Sequence, residues 1–236
     1  MRSTCCAWRA RCITKWRLFL KHKSLRKIDA TATLTTHIDL LRHGETENGY
    51  RYCGSSDYPL TQTGWQQMWK TVESQFPESP SSCWQHIVTS PLIRCADFAH
   101  ALGQRYSISV TQDNRIREIH FGAWENRSSV ELLQSDANAL SRFWQNPLDH
   151  PPPDGEHLLD FEARVLSVWK DIQQQFCGKR VLLITHGGVI RLLIGHILQH
   201  PLERLLEIDV RHASMRHICI EPAQPPRITH TWNLPA

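Results

Sequence analysis

Two kinds of segment carry the hydrophobic residues of this chain. Short runs at 37–41, 86–89, 108–110, 181–185 and 213–220 predict β-strands. The run at 181–185, Val-Leu-Leu-Ile-Thr, is apolar on both sides, as a strand buried in a parallel sheet must be. Longer stretches at 65–75, 91–102, 128–145, 156–176 and 187–199 predict helices. Pro91 is placed in the first turn of the second helix, where its missing N–H costs nothing. Residues 59–64 and 76–82 read as loops, Pro147 and Pro151–Gly155 break the chain, and Gly178 ends the fourth helix. Strands alternating with helices predict an α/β fold of three layers, a mostly parallel sheet with helices on both faces.

Composition changes this picture mainly at the N-terminus. Residues 1–28 carry nine of the 27 Lys and Arg and no acid, so the remainder holds 18 basic against 23 acidic residues, a net of −5. A body with that balance is not a nucleic-acid binder, which needs clustered positive charge. Residues 1–36 are thus expected to be a basic extension, dispensable for chemistry, ahead of a domain spanning 37–236. A disordered tail, a transit-like segment and an upstream extension from a misplaced start all fit it. Trp16, Leu18, Phe19 and Leu20 lie among lysines that suit an anionic surface, but the cluster is too short to span a membrane. Eight scattered cysteines form no C-x-x-C pair; they read as reduced thiols of a cytoplasmic protein rather than a zinc site or a disulfide framework.

The candidate chemistry sits at two similar junctions. Leu40-Leu-Arg-His-Gly44 sets Arg42 and His43 just past one strand, and Leu183-Ile-Thr-His-Gly-Gly188 sets His186 just past another and before a helix. In open α/β sheets, ligands sit at the carboxyl ends of strands, so both histidines are delivered to one edge. Gly44, Gly187 and Gly188 let backbone approach a ligand there. The N-terminus of the helix after His186 suits an anion. Either histidine alone reads equally as a hydrogen-bonded structural residue; the paired context is what points to function.

The sequence L-L-R-H-G-E-T at residues 40–46 resembles the signature of the phosphoglycerate mutase-like histidine phosphatase superfamily. Four more blocks follow in the family's order: P-L-T-Q-T-G at 59–64, T-S-P-L-I-R-C-A at 89–96, R-E-I-H-F-G-A-W-E at 117–125 and T-H-G-G at 185–188. The F-G-A-W-E block and the R-Y-C-G-S loop at 51–55 are most similar to bacterial α-ribazole phosphatases of cobalamin synthesis. The resemblance implies that His43 becomes a phosphohistidine, that Arg42, Arg94 and His186 hold the phosphate, and that Glu118 gives and takes the proton. It implies a small phosphate ester as substrate, and neither a metal nor another cofactor. The family's phosphate-binding asparagine falls six residues after the nucleophile; here that position is Gly49, with Asn48 one place earlier. Asn48, Gly54, Ser55 and Gly187 are the further substrate-binding candidates. Bland readings stand beside these: Arg94 as a solvated helix charge, Glu118 paired with Arg115 or Arg117, and Phe121, His120 and Trp124 as core rather than substrate mouth. Glu125 and Glu156 are read as structural.

Overall fold

A computed structural model describes residues 34–75 and 84–232. The basic segment through residue 33 lies outside the described residues. Six strands, β1 (Thr36–Arg42), β2 (His86–Thr89), β3 (Val110–Gln112), β4 (Arg180–Thr185), β5 (Met215–Ile220) and β6 (Arg227–Trp232), form one sheet in the order β3-β2-β4-β1-β5-β6. All neighbours from β3 to β1 are parallel, and β5 alone runs against the rest.

The helices are α1 (Gln62–Gln75), α2 (Ile93–Tyr106), α3 (Ser129–Gln145), α4 (Leu158–Gln175) and α5 (Gly187–Leu198). Strand side chains alternate between faces, and each face has its own core. Ile38, Leu40, Val181 and Leu183 pack on α4 and α5. Leu41, Ile87, Leu182 and Ile184 pack on α1 and α2. α3 stands outside these layers and builds a small core of its own from Leu132, Leu140 and Phe143 around Trp124. None of the described helices is long and apolar enough to cross a membrane.

Element ends moved where side chains cap them. α1 starts at Gln62, before the expected Trp65, because the Thr61 hydroxyl accepts the Gly64 N–H at 2.9 Å. Pro91 is not in the first turn of α2: Leu92 is the N-cap, and Asp57 Oδ1 accepts the Ile93 N–H at 2.8 Å. α2 then runs on to Tyr106 and closes with Ser107 left-handed and Ile108 N–H bonded to Gly103, which delays β3 to Val110. α3 begins with a full Ser128–Glu131 capping box. The sheet starts one residue earlier than expected, since Thr36 is buried, pairs with Ile220 and accepts the Gly178 N–H. β6 was not foreseen. It is an exposed, polar edge strand whose half-buried Ile228 reaches the core.

Asp39, fully buried in β1, ties three elements together. Its carboxylate accepts from Trp84 Nε1 at 2.7 Å, Arg180 Nε at 2.8 Å and His217 Nδ1 at 2.6 Å. Burial pushes its pKa up, but the bonds from His217 and Arg180 outweigh that and hold it below the ordinary carboxylate value. Removing one partner of such a cluster strands the others, so Asp39→Ala is expected to cost about 3–5 kcal/mol in urea unfolding. A loss below about 1 kcal/mol would show that the cluster does not join the strands.

Candidate active site

The β1–β4 ladder pairs Arg42 with Thr185, the last residues of two parallel neighbours. Whatever follows each strand must emerge side by side. His43 N–H bonds the Thr185 carbonyl at 3.0 Å, and the His43 and His186 rings lie 5.3 Å apart. Gly44 serves the fold more than a ligand: a Cβ there would stand 2.3 Å from the Gly64 carbonyl oxygen of α1. A Cβ on Gly188 would displace the Glu118 carboxylate at 2.3 Å.

Hydrogen bonding sets the tautomers. His43 Nδ1 meets the Gly44 carbonyl at 2.8 Å, and a carbonyl only accepts, so Nδ1 carries the proton and Nε2 keeps its lone pair. His186 is the reverse. Arg94 Nε–H donates to its Nδ1 at 3.2 Å, so its Nε2–H donates to Ser90 Oγ at 2.7 Å. Burial, then Arg42 and Arg94, hold His43 far below the usual imidazole range; burial and Arg94 do the same to His186. Both imidazoles are thereby held in the neutral form.

A cavity of about 360 Å³ opens over His43, and Arg42, Arg94, Glu118 and Gly187 share its walls. Five of the residues singled out from sequence therefore face one space. Arg94 is fully buried rather than solvated. Its guanidinium also donates to the carbonyls of Cys53, Gly54 and Ser56 at 2.9–3.1 Å. Glu118 pairs with neither Arg115 nor Arg117; its Oε2 accepts the Gly188 N–H of α5 at 3.0 Å. Arg115 is taken by Asp113 and Asp171. Arg42 Nη1 donates to the Val210 carbonyl at 2.7 Å, while its Nε is buried with no partner. Burial, reinforced by Arg191, brings the Arg42 pKa down to about 10.

His186, Asn48, Gly54 and Ser55 sit off the cavity wall. His186 lies behind His43 and Arg94. Asn48 is beside the cavity, with Nδ2 buried and unpartnered, next to the left-handed Gly49 that does line it. Gly54 and Ser55 are engaged elsewhere, because both N–H groups donate to Glu125 Oε1, at 3.1 and 3.0 Å. Glu125 also accepts from Ser56 and Phe121 N–H and so organises the loop. Glu156 holds Arg164 at 2.6 Å. Both carboxylates are thus engaged in hydrogen bonds and ion pairs within the fold. Phe121 lines the cavity and Trp124 is core. His120 borders a separate hollow with Ser55.

Arg191 and His212 on the cavity wall were missed. Arg191 stands one turn along α5 from Gly187, a spacing that the sequence does display. His212 arrives from the turn before β5, whose backbone is bonded to the Arg42–His43 segment through Ala213 N–H to His43 O and Arg42 N–H to Ser214 O. Its ring is 5.6 Å from that of His43, and no local pattern marked it.

Residues 38–233 match the family model described as histidine phosphatase superfamily, branch 1. The chain belongs to that superfamily. As a histidine phosphatase it is an enzyme, and its α/β fold is the family's. It is 30% identical over 181 residues, 76% of this chain and 82% of the other, to the probable phosphoglycerate mutase GpmB of Citrobacter koseri. Among solved structures it is similar to YhfR of Bacillus stearothermophilus, with a TM-score of 0.74 and 30% identity over 82% of this chain and 95% of that one. It is also similar to a putative α-ribazole-5′-P phosphatase of Escherichia coli, with a TM-score of 0.69 and 25% identity over 82% and 94%.

The buried imidazoles of this histidine phosphatase make its stability sensitive to acid. Burial, then Arg42, lowers His212 to about 4, alongside the stronger lowering of His43 and His186. In the unfolded chain these histidines take up protons near pH 6.5. Their contribution is therefore complete above about pH 6.5 and lost as pH falls toward their folded values, by roughly 1.4 kcal/mol per pH unit for each. Denaturant melts at pH 7, 6 and 5 should show that decline, and His212→Asn should flatten it by one histidine's share. Equal stability at pH 7 and 5 would contradict neutral burial.

Proposed function

We propose that the chain is a metal-independent phosphomonoesterase of the cytoplasm that works through a phosphohistidine on His43. The observation that carries this reading is the unprotonated Nε2 of His43 in a cavity shared with the Arg42 and Arg94 guanidinium groups and the Glu118 carboxyl. In the first step Nε2 attacks phosphorus, the P–O ester bond breaks, and protonated Glu118 gives its proton to the departing alkoxide. In the second, Glu118 takes a proton from water, the hydroxide attacks phosphorus, and the P–N bond breaks to release phosphate. The buried, unpartnered Nε–H of Arg42 is a donor waiting for a phosphate oxygen. Arg94 keeps His186 in place and adds positive charge, although most of its N–H groups already serve the 53–56 loop. Asn48 Nδ2 is a second unsatisfied donor beside the site. Gly187 sits at the N-terminus of α5, where the helix dipole favours an anion.

The substrate we propose is α-ribazole 5′-phosphate, in cobalamin biosynthesis. The F-G-A-W-E block at 121–125 and the similarity to the Escherichia coli structure support it. The similarity to GpmB favours a second reading, phosphoglycerate mutase, and the two separate on assay of both substrates: the riboside phosphate should be hydrolysed and phosphoglycerate left without isomerisation.

His43→Ala should lose about 10⁴-fold or more in kcat/KM, since the covalent route disappears. Rapid quench of the wild type with labelled substrate should trap an acid-labile, base-stable phosphoenzyme, and a chelator should leave turnover intact. Glu118→Gln should slow an alkyl phosphate by about 10²–10⁴-fold and a nitrophenyl phosphate far less, because the aryl oxide leaves without a proton. Near-normal activity in His43→Ala, or activity abolished by chelator, would refute the assignment.

A further inference from the structure

A second cavity of about 330 Å³ adjoins the phosphate cavity. Tyr52, Glu118, Phe121 and Arg191 line both, so the two adjoin across a shared wall that carries Glu118. An ester oxygen between phosphorus on His43 and a body in the second chamber therefore lies on the Glu118 side.

The chamber's own wall differs in chemistry from the phosphate side. It is built mainly of Phe143, Trp144, Leu158, Phe161, Leu205 and Leu206. Tyr52 stands 4.9 Å from Phe121 and 6.5 Å from Phe143, ring centre to ring centre, an open array of aromatic faces and edges. Trp144 Nε1–H donates to the Tyr52 hydroxyl at 3.0 Å and links α3 to the loop over His43. The charged groups on this wall are committed. Glu156 is neutralised by Arg164, and Arg191, the one basic residue among the described residues of this wall, donates its Nε–H to the Ile208 carbonyl and lines the phosphate side as well. A carboxylate or second phosphate placed among these rings would lose its water and compete with the transferred phosphate for Arg191, a steep cost. A flat apolar ring would instead exclude water from the wall at no electrostatic cost.

We infer that this chamber seats the leaving group, and that the substrate is the monophosphate of an uncharged, ring-bearing alcohol whose selection depends on Phe143, Trp144 and Leu206. The inference rests on the phosphomonoesterase reading and adds the class of alcohol; an aromatic riboside is one member of that class. Trp144 and Leu206 determine specificity without touching the transferred phosphorus.

The test compares alkyl esters, which share an unactivated leaving group, so that differences report the chamber rather than bond strength. The probes are ethyl phosphate, 2-(1-naphthyl)ethyl phosphate, glycerol 3-phosphate and 3-phosphoglycerate, with the full chain. The naphthylethyl ester should exceed ethyl phosphate about 100-fold in kcat/KM, and 3-phosphoglycerate should fall at or below ethyl phosphate. Trp144 is 44% exposed, so its truncation spares the cores. Trp144→Ala should cut the naphthylethyl-to-ethyl ratio by about 10-fold. Leu206→Arg should do the same and raise 3-phosphoglycerate relative to ethyl phosphate. Taking ratios within one preparation removes any loss of folded protein. Turnover of all esters with a flat ratio, or ratios that both variants leave unchanged, overturns this inference alone. No turnover of any ester overturns the phosphatase reading beneath it.

Discussion

The site depends on one register. β1 and β4 are parallel neighbours ending at Arg42 and Thr185, and the next residues are His43 and His186. A slip of one residue would turn either strand's apolar set to the opposite face. With Ile38, Leu40, Val181 and Leu183 committed to one core and Leu41, Leu182 and Ile184 to the other, that slip is closed off. Packing of the sheet thus delivers two imidazoles to one point, although 142 residues lie between His43 and His186 in the chain.

Electrostatics complete what the register begins. Imidazoles buried beside guanidinium groups are driven to the neutral form, and a nucleophilic nitrogen must be neutral to attack. The same surroundings that disfavour a proton on His43 favour a phosphate dianion in front of it. On the proposed mechanism, attraction for the substrate and activation of His43 are therefore two results of one charge arrangement, obtained at some cost in stability toward acid.

Carboxylates away from the cavity hold the scaffold in shape. Asp39 joins β1, β4, β5 and Trp84, Glu125 gathers four N–H groups of the loop walls, and Glu156 fixes Arg164, whose guanidinium also bonds the carbonyls of Arg115, Arg117 and Glu118. Glu118 is thereby set on a braced segment, aimed at the N-terminus of α5. Arg94 plays a similar part for residues 53–56, which explains why a helix-borne arginine is fully buried.

Much of the framework could be read from the chain itself. Strand-helix alternation predicted the layered α/β fold because apolar periodicity reflects which face each element buries. His43, His186, Arg42, Arg94 and Glu118 were legible because each lies in a short local block with its own spacing. Element ends were read less well, since Thr61, Asp57 and Ser107 set them through capping bonds that a propensity pattern does not contain. β6 was missed because, among the described side chains of this exposed edge strand, only Ile228 packs on the core, which leaves little apolar signal. Tertiary structure alone decided the rest. It spent the N–H groups of Gly54 and Ser55 on Glu125, brought His212 beside His43 through an antiparallel neighbour, and set the aromatic residues of α3 against Tyr52 to make the second chamber. These outcomes depend on pairing and packing between segments far apart in sequence, and such contacts leave no spacing along the chain to read.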